Sequence, residues 1–344
     1  MAQDRDVFED SYDADHSPIR VGLVTCAHLH VLSYIHCLKG RTDARVIGIW
    51  DHDAERGQEF AKQQGINFYG SYEDLLDRCD AVTICSENNL HAEHGIKAAN
   101  AGKHILCEKP LVTREEDGVA FIEAVRANNV RLMTAFPCRF SPAYQSLKSR
   151  VRAGEIGPLA GICATNRGSC PGGWFTQKEL SGGGAMIDHV VHVADLLQDL
   201  LGEEPSSVQA QVGNNIYGQE WEDTAMVTLQ YPSGVFATLD SSWSRPKGYR
   251  TWGDVTMNVV GEGGVIEMDM FGQDIHHYRQ GATTHKVANY GPNLDAYMVE
   301  EFLSSIKEAR DPLVTGEDGL KAARVALAAY RSLGTDVPAV LSHA

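Results

Sequence analysis

The sequence lacks the features that mark several classes of protein. Its eight Cys residues form no C-x-x-C pair, which fits buried thiols in a reducing cytoplasm better than disulfides or structural zinc. Lys and Arg total 30 against 46 for Asp and Glu, with no basic run and a net charge of -16. Because nucleic-acid phosphates require a local excess of cations, we expect no nucleic-acid partner. No apolar stretch approaches the roughly 20 residues that cross a bilayer, and residues 1–18 are too acidic for a secretory signal. These absences predict a cytoplasmic protein without a membrane partner.

What the sequence does contain is the regular alternation of a folded protein with two domains. At roughly 100–200 residues per domain, 344 residues suggest two. Residues 1–18 offer little to bury and are predicted to form a flexible N-terminal arm. Residues 19–137 alternate apolar runs with amphipathic segments, which predicts a doubly wound parallel sheet in an α/β fold of Rossmann type. Residues 138–344 carry longer strand candidates and tight turns, which predict a second α/β domain built on an antiparallel meander.

Local signals give the approximate bounds of these elements. Asp53 and Ser71 are predicted helix caps, and Thr113 with Glu116 resembles a capping box. Apolar runs predict five strands in the first domain: Ile19–Thr25, Arg45–Trp50, Ala81–Ser86, His104–Cys107 and Arg131–Phe136. In the second domain, alternating patterns predict two hairpins, 225–240 and 256–269, and two closing helices, 294–310 and 317–333.

The turn after the first predicted strand contains no glycine. A dinucleotide-binding sheet usually has G-x-G-x-x-G there, because the pyrophosphate contacts bare backbone at the start of a helix. Here the segment reads Thr25-Cys26-Ala27-His28-Leu29-His30, which taken alone argues against a dinucleotide. His28-x-His30 permits instead a metal-dependent hydrolase, since alternate residues at a strand end point the same way. Alternatively, both His residues line a loop, or one of them donates a hydrogen bond to a phosphate.

The end of the second predicted strand supports a nucleotide. Asp51 lies about 25 residues beyond the glycine-loop position, where a carboxylate can accept hydrogen bonds from the ribose hydroxyls and repel a 2′-phosphate. This favours NAD over NADP, although a helix-capping Asp would look the same. His52 and Arg56 lie close enough to accept a phosphate, so NADP is not excluded.

Three further segments carry a family resemblance. They are Cys107-Glu108-Lys109-Pro110, Ser86-Glu87-Asn88-Asn89-Leu90-His91, and the glycine-rich stretch from Gly182 to His192. In this order and at these separations, over about residues 19–335, the sequence resembles the Gfo/Idh/MocA family, named for glucose–fructose oxidoreductase and inositol dehydrogenase. The resemblance implies a dinucleotide-binding domain followed by an α/β domain with an open, mostly antiparallel sheet. That sheet commonly forms the oligomer interface, so a homodimer or homotetramer is implied.

The resemblance also implies catalytic roles. Lys109 matches the family's active-site lysine, and an ammonium group there would hold a substrate hydroxyl and favour its ionisation. Asp188 and His192 match the family's D-x-x-x-H pair and would share one helix face. His192 suits proton transfer near neutral pH, with Asp188 orienting it or binding substrate. The same helical geometry predicts that His189 points elsewhere.

Cofactor and substrate contacts follow from the same comparison. Ser86 and Asn88 match a segment that lies along the cofactor, with Glu87 where proline is usual. Glu108 would face the nicotinamide ribose, and Trp174 occupies the spacing at which sugar-handling members place a Trp, although a core Trp is the alternative. The predicted cofactor-binding set is Thr25, Ala27, His28, Asp51, Ser86, Asn88, His91, Glu108 and Lys109. No metal ligand is assigned.

The sequence therefore predicts an NAD(P)-dependent oxidoreductase that transfers a hydride to or from a sugar, cyclitol or related polyol. Lys109, Trp174, Asp188 and His192 would contact the substrate. Two alternatives stay open: a family relative without redox activity that acts as a binding or regulatory subunit, and the hydrolase based on His28 and His30.

Overall fold

The structure is a computed structural model that describes residues 17–281, 286–335 and 337–341. The predicted N-terminal arm lies outside these residues except for Ser17 and Pro18. The last three residues of the second domain also lie outside them.

The first domain is built on a five-stranded parallel sheet, as predicted. The spatial order is β2-β1-β3-β4-β5, and each pair of neighbours is parallel. Both faces are covered, so the central strands are almost entirely buried. The strands are β1 (Ile19–Val24), β2 (Ala44–Trp50), β3 (Ala81–Ile84), β4 (His104–Cys107) and β5 (Leu132–Thr134).

Helices connect these strands, and two of the three predicted caps are confirmed. Asp53 accepts a hydrogen bond from the backbone of Arg56, and Ser71 accepts one from Asp74. The capping box at Thr113 is wrong: the helix begins at Glu115 after Arg114, whose guanidinium binds the carboxylate of Glu116. The helices are α1 (Val31–Lys39), α2 (Ala54–Gln64), α3 (Tyr72–Leu76), α4 (His91–Asn100) and α5 (Glu115–Ala127).

The second domain contains a seven-stranded mixed sheet in the order β11-β10-β6-β9-β8-β7-β14. The two predicted hairpins are present as antiparallel pairs, β8 with β9 and β10 with β11. The meander is wrong at one place, because β6 pairs in parallel with β9. A long helix follows β6, so the next strand of the chain joins the sheet elsewhere. The strands are β6 (Leu159–Gly168), β7 (Ser207–Gly213), β8 (Thr224–Gln230), β9 (Phe236–Ser242), β10 (Gly253–Gly261), β11 (Gly264–Asp269) and β14 (Ala339–Val340), while β12 (Asp274–His277) and β13 (Lys286–Asn289) form a separate ribbon.

One face of this sheet is covered by helices and the other is open. The long helix after β6 packs on β9 and on the last helix of the chain. Because side chains alternate across a strand, the opposite face is exposed, and it presents Met226, Phe236, Val260 and Val265. The helices of this domain are α6 (Pro142–Arg152), α7 (Lys178–Ser181), α8 (Ala185–Leu201), α9 (Leu294–Lys307) and α10 (Gly316–Arg331). Within the described ranges, no helix has the length and apolarity to span a membrane.

Candidate active site

A cavity of about 400 Å³ lies between the two domains. The first domain contributes side chains from the ends of β1 and β4, and the second contributes the beginning of α8. The residues predicted to be catalytic therefore meet in one place, although they are distant in the sequence. Its titratable lining residues include His28, His30, Lys109, Asp188, His189 and His192.

Lys109 and Asp188 form a buried ion pair across the cavity wall. The Nζ of Lys109 lies 2.6 Å from Oδ1 of Asp188 and also donates to its backbone carbonyl at 3.2 Å. The second carboxylate oxygen accepts a hydrogen bond from Nε1 of Trp243 at 3.0 Å. Burial opposes ionisation of Asp188, but Lys109 and then His189 hold its pKa well below the usual range. Asp188 is therefore a fixed anion that positions the ammonium group.

His192 lies one helical turn beyond Asp188. Its Nδ1 is buried and has no hydrogen-bond partner among the residues described. Burial and then the charge of Lys109 lower the pKa of His192 well below its usual value. The ring is therefore neutral at physiological pH and able to accept a proton.

The glycine run before α8 permits this placement. The backbone N–H of Gly184 donates to Oε1 of Glu222 at 2.7 Å. A Cβ on Gly183 would lie 1.9 Å from the hydroxyl of Tyr330. Only glycine allows the chain to approach these side chains so closely, and this contact sets where α8 begins and where Asp188 lies.

His189 belongs to the site, contrary to the prediction that it points elsewhere. One ring nitrogen, Nδ1, bonds the backbone carbonyl of Asn166 at 2.8 Å, and Nε2 lies 3.1 Å from Oδ2 of Asp188. Neighbouring residues of a helix point about 100° apart around its axis. The carboxylate of Asp188 nevertheless contacts the ring of the next residue, His189. Trp243, which donates to the carboxylate of Asp188, was not predicted as a site residue. It lies after β9, and no local sequence pattern connects it with α8.

The glycine-free turn folds into the conformation that glycine would adopt. Thr25 has a φ of 60°, in the left-handed region. Its hydroxyl donates to the carbonyl of Cys85 at 2.8 Å, and the N–H of His28 donates to the same carbonyl at 2.9 Å. The carbonyl of Ala27 accepts from Nε1 of Trp174 at 3.0 Å. These groups of the turn are thus satisfied within the protein, and pyrophosphate contacts must differ from those of a glycine loop.

His28, His30 and Glu108 approach one another within 4.8 Å, a spacing that suits a metal ion. The hydrogen bonds favour a different arrangement. Burial lowers the pKa of His28 to about 3, so its ring is neutral. Nδ1 of His28 accepts from the N–H of His30 at 3.2 Å, which leaves the proton on Nε2, the nitrogen nearest Glu108. That tautomer has no lone pair for a metal there, and His30 Nδ1 already bonds Glu108 at 3.0 Å.

Three predicted ligand-binding residues lie elsewhere than expected. Glu108 is fully buried and is bonded to His30 and Tyr34, so it supports the turn instead of facing the nicotinamide ribose. His91 is also fully buried, and its ring nitrogens lie 2.8 and 3.2 Å from the carbonyl oxygens of Pro110 and Ser86. The indole of Trp174 stacks on Phe175 at 3.9 Å, and it is Phe175 that lines the cavity. Each of these three side chains is engaged by protein contacts that the sequence pattern did not indicate.

Comparison with known proteins identifies the family. The profile of the oxidoreductase family with an NAD-binding Rossmann fold matches residues 20–136, and the GFO/IDH/MocA C-terminal domain matches residues 144–267. Myo-inositol 2-dehydrogenase from Thermotoga maritima is 30% identical over 329 residues, which span 92% of this chain and 96% of that protein. The chain belongs to the Gfo/Idh/MocA family.

Other members agree with this assignment over nearly the full length. The NAD⁺-dependent scyllo-inositol 2-dehydrogenase of Bacillus subtilis is 28% identical over 93% of this chain and 95% of that protein. The crystal structure of a probable dehydrogenase from Thermotoga maritima superposes with a TM-score of 0.79 at 28% identity, covering 94% of this chain and 98% of that one.

Polar groups gather at the carboxyl ends of the parallel strands, the edge at which ligands bind in open α/β sheets. Oγ of Ser86, Oε2 of Glu87 and Oδ1 of Asn88 are buried and have no hydrogen-bond partner in the part of the chain described. Because buried polar atoms are normally paired, three consecutive unpaired ones indicate the place of a ligand. Nδ2 of Asn88 donates to the carbonyl of Ser181, which ties this segment to the second domain. These residues fit a dinucleotide.

Asp51 also lies at this edge, but its carboxylate is already engaged. It accepts from the backbone of Cys26 and Asp53, each at 2.9 Å, and from Arg56 at 2.7 and 3.0 Å. Burial alone would raise the pKa of Asp51, but the hydrogen bonds from Arg56 and from the backbone N–H groups of Cys26 and Asp53 together lower that pKa. A ribose hydroxyl would therefore compete with Arg56 for this carboxylate.

Proposed function

We propose that this protein is an NAD-dependent oxidoreductase that interconverts a hydroxyl and a carbonyl group on a sugar, cyclitol or related polyol. The observation that carries the proposal is the meeting of Lys109, Asp188 and His192 in one cavity between the cofactor domain and the second domain. The nicotinamide supplies the redox chemistry by accepting or returning a hydride. Family membership supports the cofactor, and two relatives named for inositols support the substrate class.

The side chains have separate tasks in the oxidative direction. His192 is neutral and lines the cavity, and it accepts the proton of the substrate hydroxyl as general base. Lys109 donates a hydrogen bond to the same oxygen and stabilises its developing negative charge. Asp188 holds the ammonium group of Lys109 at 2.6 Å and fixes its direction. In the reductive direction, protonated His192 returns the proton.

Substitution of the two proposed catalytic residues tests this function. Lys109→Ala and His192→Ala should each lower kcat by about 10²–10⁴-fold, the usual range for a general acid–base group, while NADH affinity changes much less. The assay follows absorbance of reduced nicotinamide with a panel of inositols and monosaccharides. Lys97→Ala is the matched control, because Lys97 pairs with Glu93 on an exposed helix surface. Near-normal turnover in both catalytic variants would contradict the mechanism.

The same assays distinguish the alternatives. A binding or regulatory subunit would bind NADH or a sugar, seen by tryptophan fluorescence, without turnover of any substrate in the panel. A hydrolase based on His28 and His30 would contain zinc and lose its activity on chelation. We expect neither outcome.

We further propose that the protein acts in the cytoplasm as a homodimer or homotetramer, with the open sheet face as the interface. Scattered free thiols and the absence of a C-x-x-C pair support a reducing compartment. Met226 and Phe236, exposed to 60% and 54%, support an apolar contact across this face.

A further inference from the structure

We propose that Glu87 determines cofactor choice by holding Arg56 away from the 2′ position of the adenosine ribose. This inference rests on the proposed function and concerns a residue that occupies the place where the family usually has proline. It identifies NADP, a dinucleotide with one extra phosphate, as the ligand that the wild-type site rejects.

Arg56 lies between two carboxylates. Its Nε and Nη2 bond Asp51 at 3.0 and 2.7 Å, and its Nη1 bonds Oε1 of Glu87 at 3.1 Å. Both acids are largely buried, with side-chain exposures of 0% and 7%, whereas Arg56 is 29% exposed. Two anions against one cation leave this cluster with a net negative charge, and the guanidinium has few donors left for another anion.

The location gives this cluster its significance. The carboxylate after the second strand is the group that contacts the ribose hydroxyls in NAD-binding sheets, and a nearby Arg accepts the 2′-phosphate where NADP is preferred. This chain has both residue types. Arg56 would favour NADP if it were free, because a guanidinium binds phosphate through paired hydrogen bonds. In this chain Asp51 already binds Nε and Nη2 of Arg56, and Glu87 also binds Nη1, so a phosphate would meet a paired guanidinium and two carboxylates.

Neighbouring groups complete the cluster. Nε2 of His52 lies 3.5 Å from Oε2 of Glu87, and Nδ1 lies 3.8 Å from Oδ1 of Asp51. That Glu87 oxygen has no hydrogen bond from the described residues. This oxygen can therefore accept a hydrogen bond from the 2′-hydroxyl of the ribose in NAD. In NADP that hydroxyl is replaced by a phosphate, which cannot donate in the same way. The geometry both selects NAD and disfavours NADP.

The test is the ratio of kcat/KM for the two cofactors, with dissociation constants from tryptophan fluorescence as a second readout. Glu87→Gln keeps the shape of the side chain and removes its charge. We expect it to shift the ratio toward the phosphorylated cofactor by about tenfold or more, because one carboxylate charge is removed and the charge-assisted contact of Nη1 of Arg56 is released for the phosphate. In Glu87→Gln combined with Arg56→Ala, this gain should disappear. Glu55→Gln, an exposed acid on the same helix, is the matched control and should leave the ratio unchanged.

The outcomes separate the two proposals. If wild-type protein binds neither NADH nor NADPH, the proposed function fails. If it binds NADH but Glu87→Gln leaves the ratio within about twofold of wild type, or the double variant keeps the gain, the role of Glu87 is overturned and the oxidoreductase assignment stands.

Discussion

Single residues in this site are controlled by what surrounds them as much as by their own chemistry. His192 is held neutral by the surrounding protein and by the charge of Lys109, and Asp188 stays ionised because Lys109 lies 2.6 Å away. Short motifs that resemble those of the family were enough to predict Lys109, Asp188 and His192 as site residues. The contact of Arg56 with Glu87 could not be predicted in this way, since it joins residues 31 positions apart through a fold.

The environment of His192 gives a prediction about pH. A lowered pKa means that the ring stays neutral in the folded enzyme below pH 6.5, the usual value for His. For oxidation of an uncharged polyol, kcat/KM should therefore stay constant from neutral pH past 6.5 and fall only under more acidic conditions. Lys109→Met removes the second cause of the lowering, so in its residual activity the acidic limb should move to higher pH. A wild-type limb centred at or above pH 6.5 would contradict this assignment.

At the scale of elements, local signals predicted two of the three helix caps, whereas the pairing of distant strands was not predictable from them. Asp53 and Ser71 cap their helices through backbone groups three residues away, so a short stretch of sequence contains the whole interaction. The box at Thr113 failed because the side chain of Arg114 competes for Glu116. The parallel pairing of β6 with β9 depends on the path of α8 across the sheet. No spacing within either strand encodes that path.

The packing of α4 against α5 gives a prediction at this scale. A Cβ on Gly95 would lie 2.0 Å from the ring of Phe121, so Gly95→Ala overpacks the contact between these helices. We expect the free energy of unfolding to fall by about 1–3 kcal/mol, measured by denaturant titration. Gly70→Ala is the control, because its Cβ would meet nothing within 4 Å. Equal stability of the two variants would show that Phe121 moves aside without cost.

For the whole molecule, the two domains differ in how completely they are covered. The parallel sheet is enclosed on both faces, whereas the mixed sheet has helices on one face and exposed apolar side chains on the other. The alternation of apolar and polar residues in β8 and β9, which predicted a hairpin, is typical of a sheet with one covered face. The sequence does not specify what covers the open face, because that depends on shape complementarity between surfaces.

If the protein assembles through the open face, charged substitutions on that face should lower its mass in solution. Wild-type protein should behave as a dimer or tetramer in light scattering at micromolar concentration, and Phe236→Asp combined with Met226→Asp should dissociate it, because burying two carboxylates in an apolar contact is costly. Phe236→Leu preserves the apolar surface and should keep the larger mass. A wild-type monomer would contradict the proposed assembly.

The ion pair of Lys109 with Asp188 joins one half of the chain to the other. Chimeras that exchange whole second domains between relatives should therefore keep both members of this pair. Without its partner, the ammonium or the carboxylate would be a buried charge with no ion pair. Substrate range can thus diversify through the loops around the cavity, while these two positions must be inherited together.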